Sequence, residues 1–355
     1  MLAENNLLTR SNLLGMARVS LGETGSIVSS LCYLFLHYCL LVAYISKGGE
    51  LLNGAVHNLA GVDVPEQLLA ALFTLGWGSL CYFASDQTLD KTNTALAGGL
   101  MISFLLLLAD VFGGVTPSAL FSTSDWSAVP DALPVIALAF VFQNVVPVVV
   151  DQQHGDRKRI QISIALGSLI PLLMFVLWDA AVLGQPTVAA DGSIIEDPLA
   201  VLLNQSGLTG GLIQSFSLLA LTTSFMGFVL GLTDFVADGM NVSKKDRKDP
   251  RNVMGRAVPF LVTLVPPYFL GLLFRDIFFE ALDKAGTYGV LMLFGVLPPA
   301  MLYRLRYDKK KELPQSEGGT ANTEMLGGGP SVLLATGAVS AAIIGREIFQ
   351  SFRIF

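Results

Sequence analysis

Charged residues in this chain are spaced so that nine uncharged, mainly apolar runs lie between them. Glu23 and Lys47 enclose 23 residues, Glu66 and Asp86 enclose 19, and Lys91 and Asp110 enclose 18. Asp131 to Asp151 and Arg159 to Asp179 enclose 19 each. A run of 36 extends from Pro198 to Thr233, and three more cover 257–274, 285–303 and 325–345. A helix needs about 20 residues to cross the hydrocarbon core, within a range of about 17 to 25. The long run therefore holds one span, at about 211–233, after the loop-like Asn204-Gln205-Ser206-Gly207 and Gly210-Gly211. Only 14% of the residues are charged, against about a quarter in a soluble domain, and the mean hydropathy is +0.61. The expected fold is all-α: a polytopic membrane protein with about nine transmembrane helices.

Lys and Arg set the orientation. With the N-terminus on the cytoplasmic side, 17 of the 22 basic residues fall in inner segments, and the outer loops 112–131 and 185–210 hold none. This is the asymmetry of the positive-inside rule. The segment Glu312–Pro330, with Ser-Glu-Gly-Gly and Gly-Gly-Gly-Pro, is a flexible polar linker that sets the last span apart from the other eight. The domain reading is then 1–23, cytoplasmic N-terminal segment; 24–303, transmembrane core; 304–330, cytoplasmic basic loop and linker; and 331–355, last helix and C-terminus.

The run 132–150 differs from the others. It carries two amides at its middle, Gln143 and Asn144, followed by Pro147. Proline removes a backbone donor and clashes with the preceding turn. A broken backbone survives in hydrocarbon only where protein or a water-filled cavity satisfies it. One reading is a discontinuous helix lining a midplane cavity, the arrangement by which many secondary transporters bind substrate. The other is a proline kink whose amides bond to neighbouring helices. Elsewhere, Thr222-Thr223-Ser224 sit at mid-membrane, where hydroxyls either line a cavity or bond across helices. His37 lies inside the first span and is a candidate for proton handling or a hydrogen-bonded packing residue. Asp234 and Asp238 share one helix face at the inner end, where Asp234 is placed to pair with the basic loop that follows. Pro266-Pro267 and Pro298-Pro299 are expected to break the seventh and eighth spans, and Asp283-Lys284 to mark a helix start.

Enzyme chemistry finds no support. No hydrolase, phosphate-loop or metal motif is present, and no cluster of histidines or carboxylates serves one cavity. Cys32, Cys39 and Cys81 fall in apolar runs at spacings that match no zinc or redox motif. No cofactor, no metal and no nucleic-acid partner is expected; the partners are the bilayer and a small solute.

Several blocks resemble the aromatic amino acid (tryptophan/tyrosine) permeases of the amino acid/polyamine/cation symporter superfamily. Phe-Gln-Asn-Val-Val-Pro-Val-Val-Val-Asp, a basic loop, and the segment from Gln161 to Trp-Asp-Ala-Ala-Val-Leu-Gly look like that family's sixth and seventh helices. Thr-Ser-Phe-Met-Gly-Phe-Val-Leu-Gly-Leu-Thr-Asp-Phe-Val-Ala-Asp resembles the eighth. Pro266-Pro267 with Gly271 is similar to the ninth, and Ala43-Tyr44-Ile-Ser-Lys-Gly-Gly to the end of the third. The resemblance implies an inverted-repeat symporter fold lacking its first two helices, the nine runs standing for helices three to eleven. It also implies tyrosine or tryptophan as substrate and a coupling cation, usually H+. By position it places substrate at Phe142, Gln143 and Asn144, with Pro147 as the helix break, at Thr223 and Ser224, and at Tyr38 and Tyr44. An N-terminally truncated chain is expected. A non-transporting membrane remnant or partner subunit is the alternative. The membrane is expected to be a plasma or plastid membrane.

Overall fold

The computed structural model describes residues 13–115, 118, 120, 126–127, 129–142, 146–154, 156–185, 208–243, 246–247, 252–273, 277–307 and 329–353. Among these, all regular structure is helical. In chain order the helices are α1 (Leu13–Ala60), α2 (Glu66–Phe83), α3 (Asp86–Phe112), α4 (Val129–Ala139), α5 (Val146–Gln152), α6 (Arg157–Leu183) and α7 (Leu208–Gly239). A short π turn, Val253–Ala257, leads into α8 (Val258–Leu273). Then α9 (Ile277–Lys284), a π-helix (Ala285–Val296) and α10 (Leu297–Tyr307) follow, and α11 (Gly329–Arg353) ends the series. Seven helical runs among the described residues are long and apolar enough to cross a membrane. The chain is an integral, multi-pass membrane protein. The linker 312–330 lies almost wholly outside the described residues.

Helix ends follow from local chemistry. Ser85 caps α3, its Oγ accepting from the Thr88 N–H at 3.2 Å, and Asp86 opens the first turn, where a negative charge meets the positive end of the helix dipole. Asp156 does the same for α6, accepting from the N–H groups of Lys158 and Arg159 at 3.0 and 3.2 Å. Gly22 interrupts α1 with φ +79°, a conformation open to glycine and costly for other residues.

The chain divides into two compact units. One comprises His37–Trp126 and Pro171–Ala281. Its centre is α7, packed against α2, α3 and α8. Phe225, Val229 and Leu232 of α7 are fully buried, and Phe225 meets the Phe73 ring edge-on at 5.1 Å. Leu107, Val111, Ala181 and Ile213 form a second buried cluster, with Trp178 against it. The Gly48-Gly49 pair lets α1 cross α2 closely, since a Cβ on Gly49 would stand 2.8 Å from the Glu66 carbonyl oxygen and 2.9 Å from the Ala70 Cβ.

The other unit comprises Met1–Leu36, Ser127–Ile170 and Leu282–Phe355. Its π-helix packs on α4 and α11, and α10 also lies on α11. A charged network ties these helices together. Lys284 Nζ donates to Glu347 Oε1 at 2.8 Å and lies 3.5 Å from Asp283. Arg346 reaches Asp131 at 2.7 Å.

Three expectations change. Neither proline doublet breaks its helix. Pro266 and Pro267 lie inside α8, and Pro298-Pro299 lie in the unbroken helical run that passes from the π-helix into α10. Asp283-Lys284 is not a helix start, because the helical run begins at Ile277 and continues through both residues to Arg304; Glu347 supplies the counter-charge that lets Lys284 lie within it. The last helix, set apart in sequence, packs along the π-helix and α10.

Candidate functional site

In the unit containing α4, the chain leaves helical geometry inside the run 132–150. The helix closes with Phe140 N–H to Ile136 O at 3.3 Å and Val141 N–H to Leu138 O at 3.2 Å. Val141 and Phe142 are non-helical, and helix resumes at Val146. At 11 and 7 residues, neither α4 nor α5 alone can cross a bilayer. Pro147 is the second residue of α5, where proline is tolerated and its fixed φ suits a helix start. Phe142 is 37% exposed. Gln143 and Asn144 lie outside the described residues.

In the other unit, α1 and α7 build a polar and aromatic patch around Phe228. The Tyr44 and Ser224 hydroxyls lie near enough to interact. Tyr44 lies 5.7 Å from Phe228, ring to ring, and His37 lies 4.9 Å from it. His37 and Tyr44 are seven positions apart, about two helical turns, and so share a face. His37 is 3% exposed. Thr222 is buried, and Thr223 Oγ1 bonds back to the Ala220 carbonyl at 2.9 Å. Beside them Gly227 is exposed, and a Cβ there would meet nothing within 4 Å. The patch thus borders open space. Phe228, which sequence reasoning passed over, joins the two α1 residues; its only sequence signal is its place four residues after Ser224.

Tyr38 is directed elsewhere. Its hydroxyl donates to the Val262 carbonyl at 2.8 Å. Pro266, four residues on, has no N–H to fill that acceptor, so Tyr38 repairs the helix that the doublet left open. Nearby, Thr233 Oγ1 donates to Thr263 Oγ1 at 3.2 Å, and Thr263 donates to the Pro259 carbonyl at 2.9 Å. Tyr38→Phe should cost about 1–3 kcal/mol, as expected for an acceptor left unbonded. A lowered melting temperature in detergent checks this, with Tyr288→Phe as the comparison.

At the C-terminal end of α7, Arg247 Nη1 donates to Asp234 Oδ1 at 3.1 Å; Arg247 also pairs with Asp238 and donates to the Val242 carbonyl at 2.9 Å. Burial opposes the charge, but the hydrogen bonds and charges of Asp238 and Asp234 outweigh it and hold the guanidinium pKa above its ordinary value. The pairing of Asp234 with the basic loop joins this loop to the helix end. Among the described residues no group of three His, Cys, Asp or Glu side chains could hold a metal ion.

Comparison with known proteins gives these features a family. The family model described as the tryptophan/tyrosine permease family matches residues 1–326. A tryptophan-specific transport protein of Pseudomonas aeruginosa (strain UCBPP-PA14) is 30% identical over 315 residues, covering 85% of this chain and 73% of that protein. A tryptophan-specific transport protein of Haemophilus influenzae (strain ATCC 51907 / DSM 11121 / KW20 / Rd) is 28% identical, covering 83% and 72%. The tyrosine-specific transport system 1 of the same organism is 27% identical, covering 82% and 72%. These matches are to permeases and not to enzymes, and they favour a transporter over a non-transporting membrane partner. The chain belongs to the tryptophan/tyrosine permease family.

Proposed function

We propose that this protein is a secondary active transporter of aromatic amino acids, tyrosine or tryptophan, coupled to H+ and working by alternating access. Within the family, the observation that carries the reading is the packing of Tyr44 and His37 on Phe228, one helical turn from Ser224. Hydroxyls beside aromatic rings suit an amphipathic aromatic solute, since rings pair edge-on or offset and a buried polar group needs a partner. In this reading Ser224, Thr223 and Tyr44 form one wall of the substrate site. Tyr38 contributes its ring, its hydroxyl being engaged by Val262. By position in the family, Phe142, Gln143 and Asn144 are further substrate-binding candidates, and Pro147 lies at the start of α5. His37 handles the coupled proton, imidazole being the side chain most used for proton transfer.

The test is uptake of labelled tryptophan and tyrosine into proteoliposomes holding the full-length protein under an inward H+ gradient. Accumulation that a protonophore abolishes is expected. Folded protein that takes up neither amino acid would overturn the reading, and uptake indifferent to the gradient would remove the coupling. Ser224→Ala should raise KM about three- to tenfold, the range for one neutral hydrogen bond of about 0.5–1.5 kcal/mol, with little change in the melting temperature.

A further inference from the structure

An apolar groove of about 420 Å³ runs between α2 and α8. Its rims are Leu75 and Phe83 on α2, 65% and 77% exposed, and Leu261 and Val265 on α8, 57% and 40% exposed. Gly78 lies at its floor, where the absence of a side chain deepens it. A second cavity of about 560 Å³ shares Tyr82 and Phe260 with the groove, but it is lined by polar groups: Ser85, Asp86, Asp234, Arg247 and Arg256. Arg256 stands at the junction. Its guanidinium lies 4.8 Å above the Tyr82 ring and donates to the Tyr82 carbonyl. Arg247 is matched by Asp234 and Asp238.

We propose that groove and chamber together bind one membrane phospholipid, with an acyl chain over Gly78 and the phosphodiester on Arg256. The order of the two parts carries the assignment. An apolar, side-exposed groove adjoins a chamber with polar groups in its lining, the two sharing Tyr82 and Phe260, with a guanidinium at the boundary, which matches a lipid's change from chain to phosphate. Guanidinium has five N–H donors and suits a phosphate's paired oxygens. The chamber faces the inner leaflet by the positive-inside rule, and basic pockets between transmembrane helices on that side bind phospholipid head groups. Asp86 in the same chamber admits a head group bearing an amine, so the phosphodiester is the feature recognised. The assignment does not depend on the transported solute.

The experiment is native mass spectrometry of the full-length protein released from nanodiscs. These would hold equal amounts of phosphatidylethanolamine, phosphatidylglycerol and phosphate-free monogalactosyldiacylglycerol. Retention of either phospholipid about tenfold above the galactolipid is expected, the size of one charge-assisted phosphate contact. Arg256→Gln should level the three. Val265→Trp, at a position that is 40% exposed, should fill the groove and lower retention of all of them, and it decides the matter if Arg256→Gln does not fold. Three results would each overturn the proposal. These are equal retention of all three lipids by the unaltered protein, displacement of lipid by millimolar inorganic phosphate, and a dimer that Val265→Trp dissociates without changing retained lipid.

Discussion

Tryptophan uptake should fall at least about a hundredfold when Gln143 and Asn144 are both replaced with leucine. The chain around them gives up helical bonding: α4 ends at Ala139, α5 begins at Val146, and Val141 and Phe142 are non-helical. An amino acid arrives as a zwitterion, and each end must exchange its water for fixed donors and acceptors before it can cross. A hydrogen bond to a charged group is worth about 1.5–3 kcal/mol, so losing two removes about 3–6 kcal/mol of binding. Leucine also leaves the substrate's charged group facing an apolar wall, the situation in which polar sites discriminate most strongly. Initial rates of uptake measure the effect, scaled to the amount of monodisperse protein in gel filtration. Each single leucine should cost about tenfold or more. Uptake by the double variant at the rate of the unaltered protein would remove Gln143 and Asn144 from the site.

A single methyl group at Gly286 should lower the melting temperature by roughly 5–10 °C. An added Cβ would stand 2.3 Å from the Pro134 carbonyl oxygen and 2.6 Å from its carbon. These are backbone atoms of α4, and Pro134 cannot rotate about φ to give way. Overpacking costs about 1–3 kcal/mol in ordinary cores and more where rigid atoms collide. Gly345 on α11 provides the comparison, since a Cβ there meets nothing within 4 Å. Gly345→Ala should leave the melting temperature within about 2 °C, as for a surface change. Equal behaviour of the two variants would mean that α4 does not rest on the π-helix as described. Because α4 ends at the helix interruption, Gly286→Ala should also depress uptake by protein that still folds.

Helical runs were legible wherever charges bracketed them, because an unpaired charge is costly in hydrocarbon. The same rule misread Asp283-Lys284. The counter-charge of Lys284, Glu347, comes from a helix 63 positions on, and no local pattern announces it. The partnership of Asp234 with Arg247 was readable because it closes a loop of 13 residues. The role of Tyr38 was not, since its acceptor is 224 positions away. Tyr38 and Tyr44 turn toward different helices, Tyr44 toward α7 and Tyr38 toward α8. Proline doublets read as breaks on propensity alone, whereas α8 keeps its course because another helix fills the vacated acceptor. Gln143, Asn144 and Pro147 marked the run 132–150 as unlike the others, and Val141 and Phe142 within it are non-helical.

The Tyr38–Val262 bond has a consequence for biogenesis. When α8 first enters the bilayer, its proline doublet leaves carbonyls that lipid cannot satisfy. α1 is made earlier, so the hydroxyl that seals one of them is already waiting in the membrane. Insertion of the late helix is therefore coupled to docking against the early one. A chain in which that docking is delayed would keep α8 lingering near the translocon or exposed to membrane proteases.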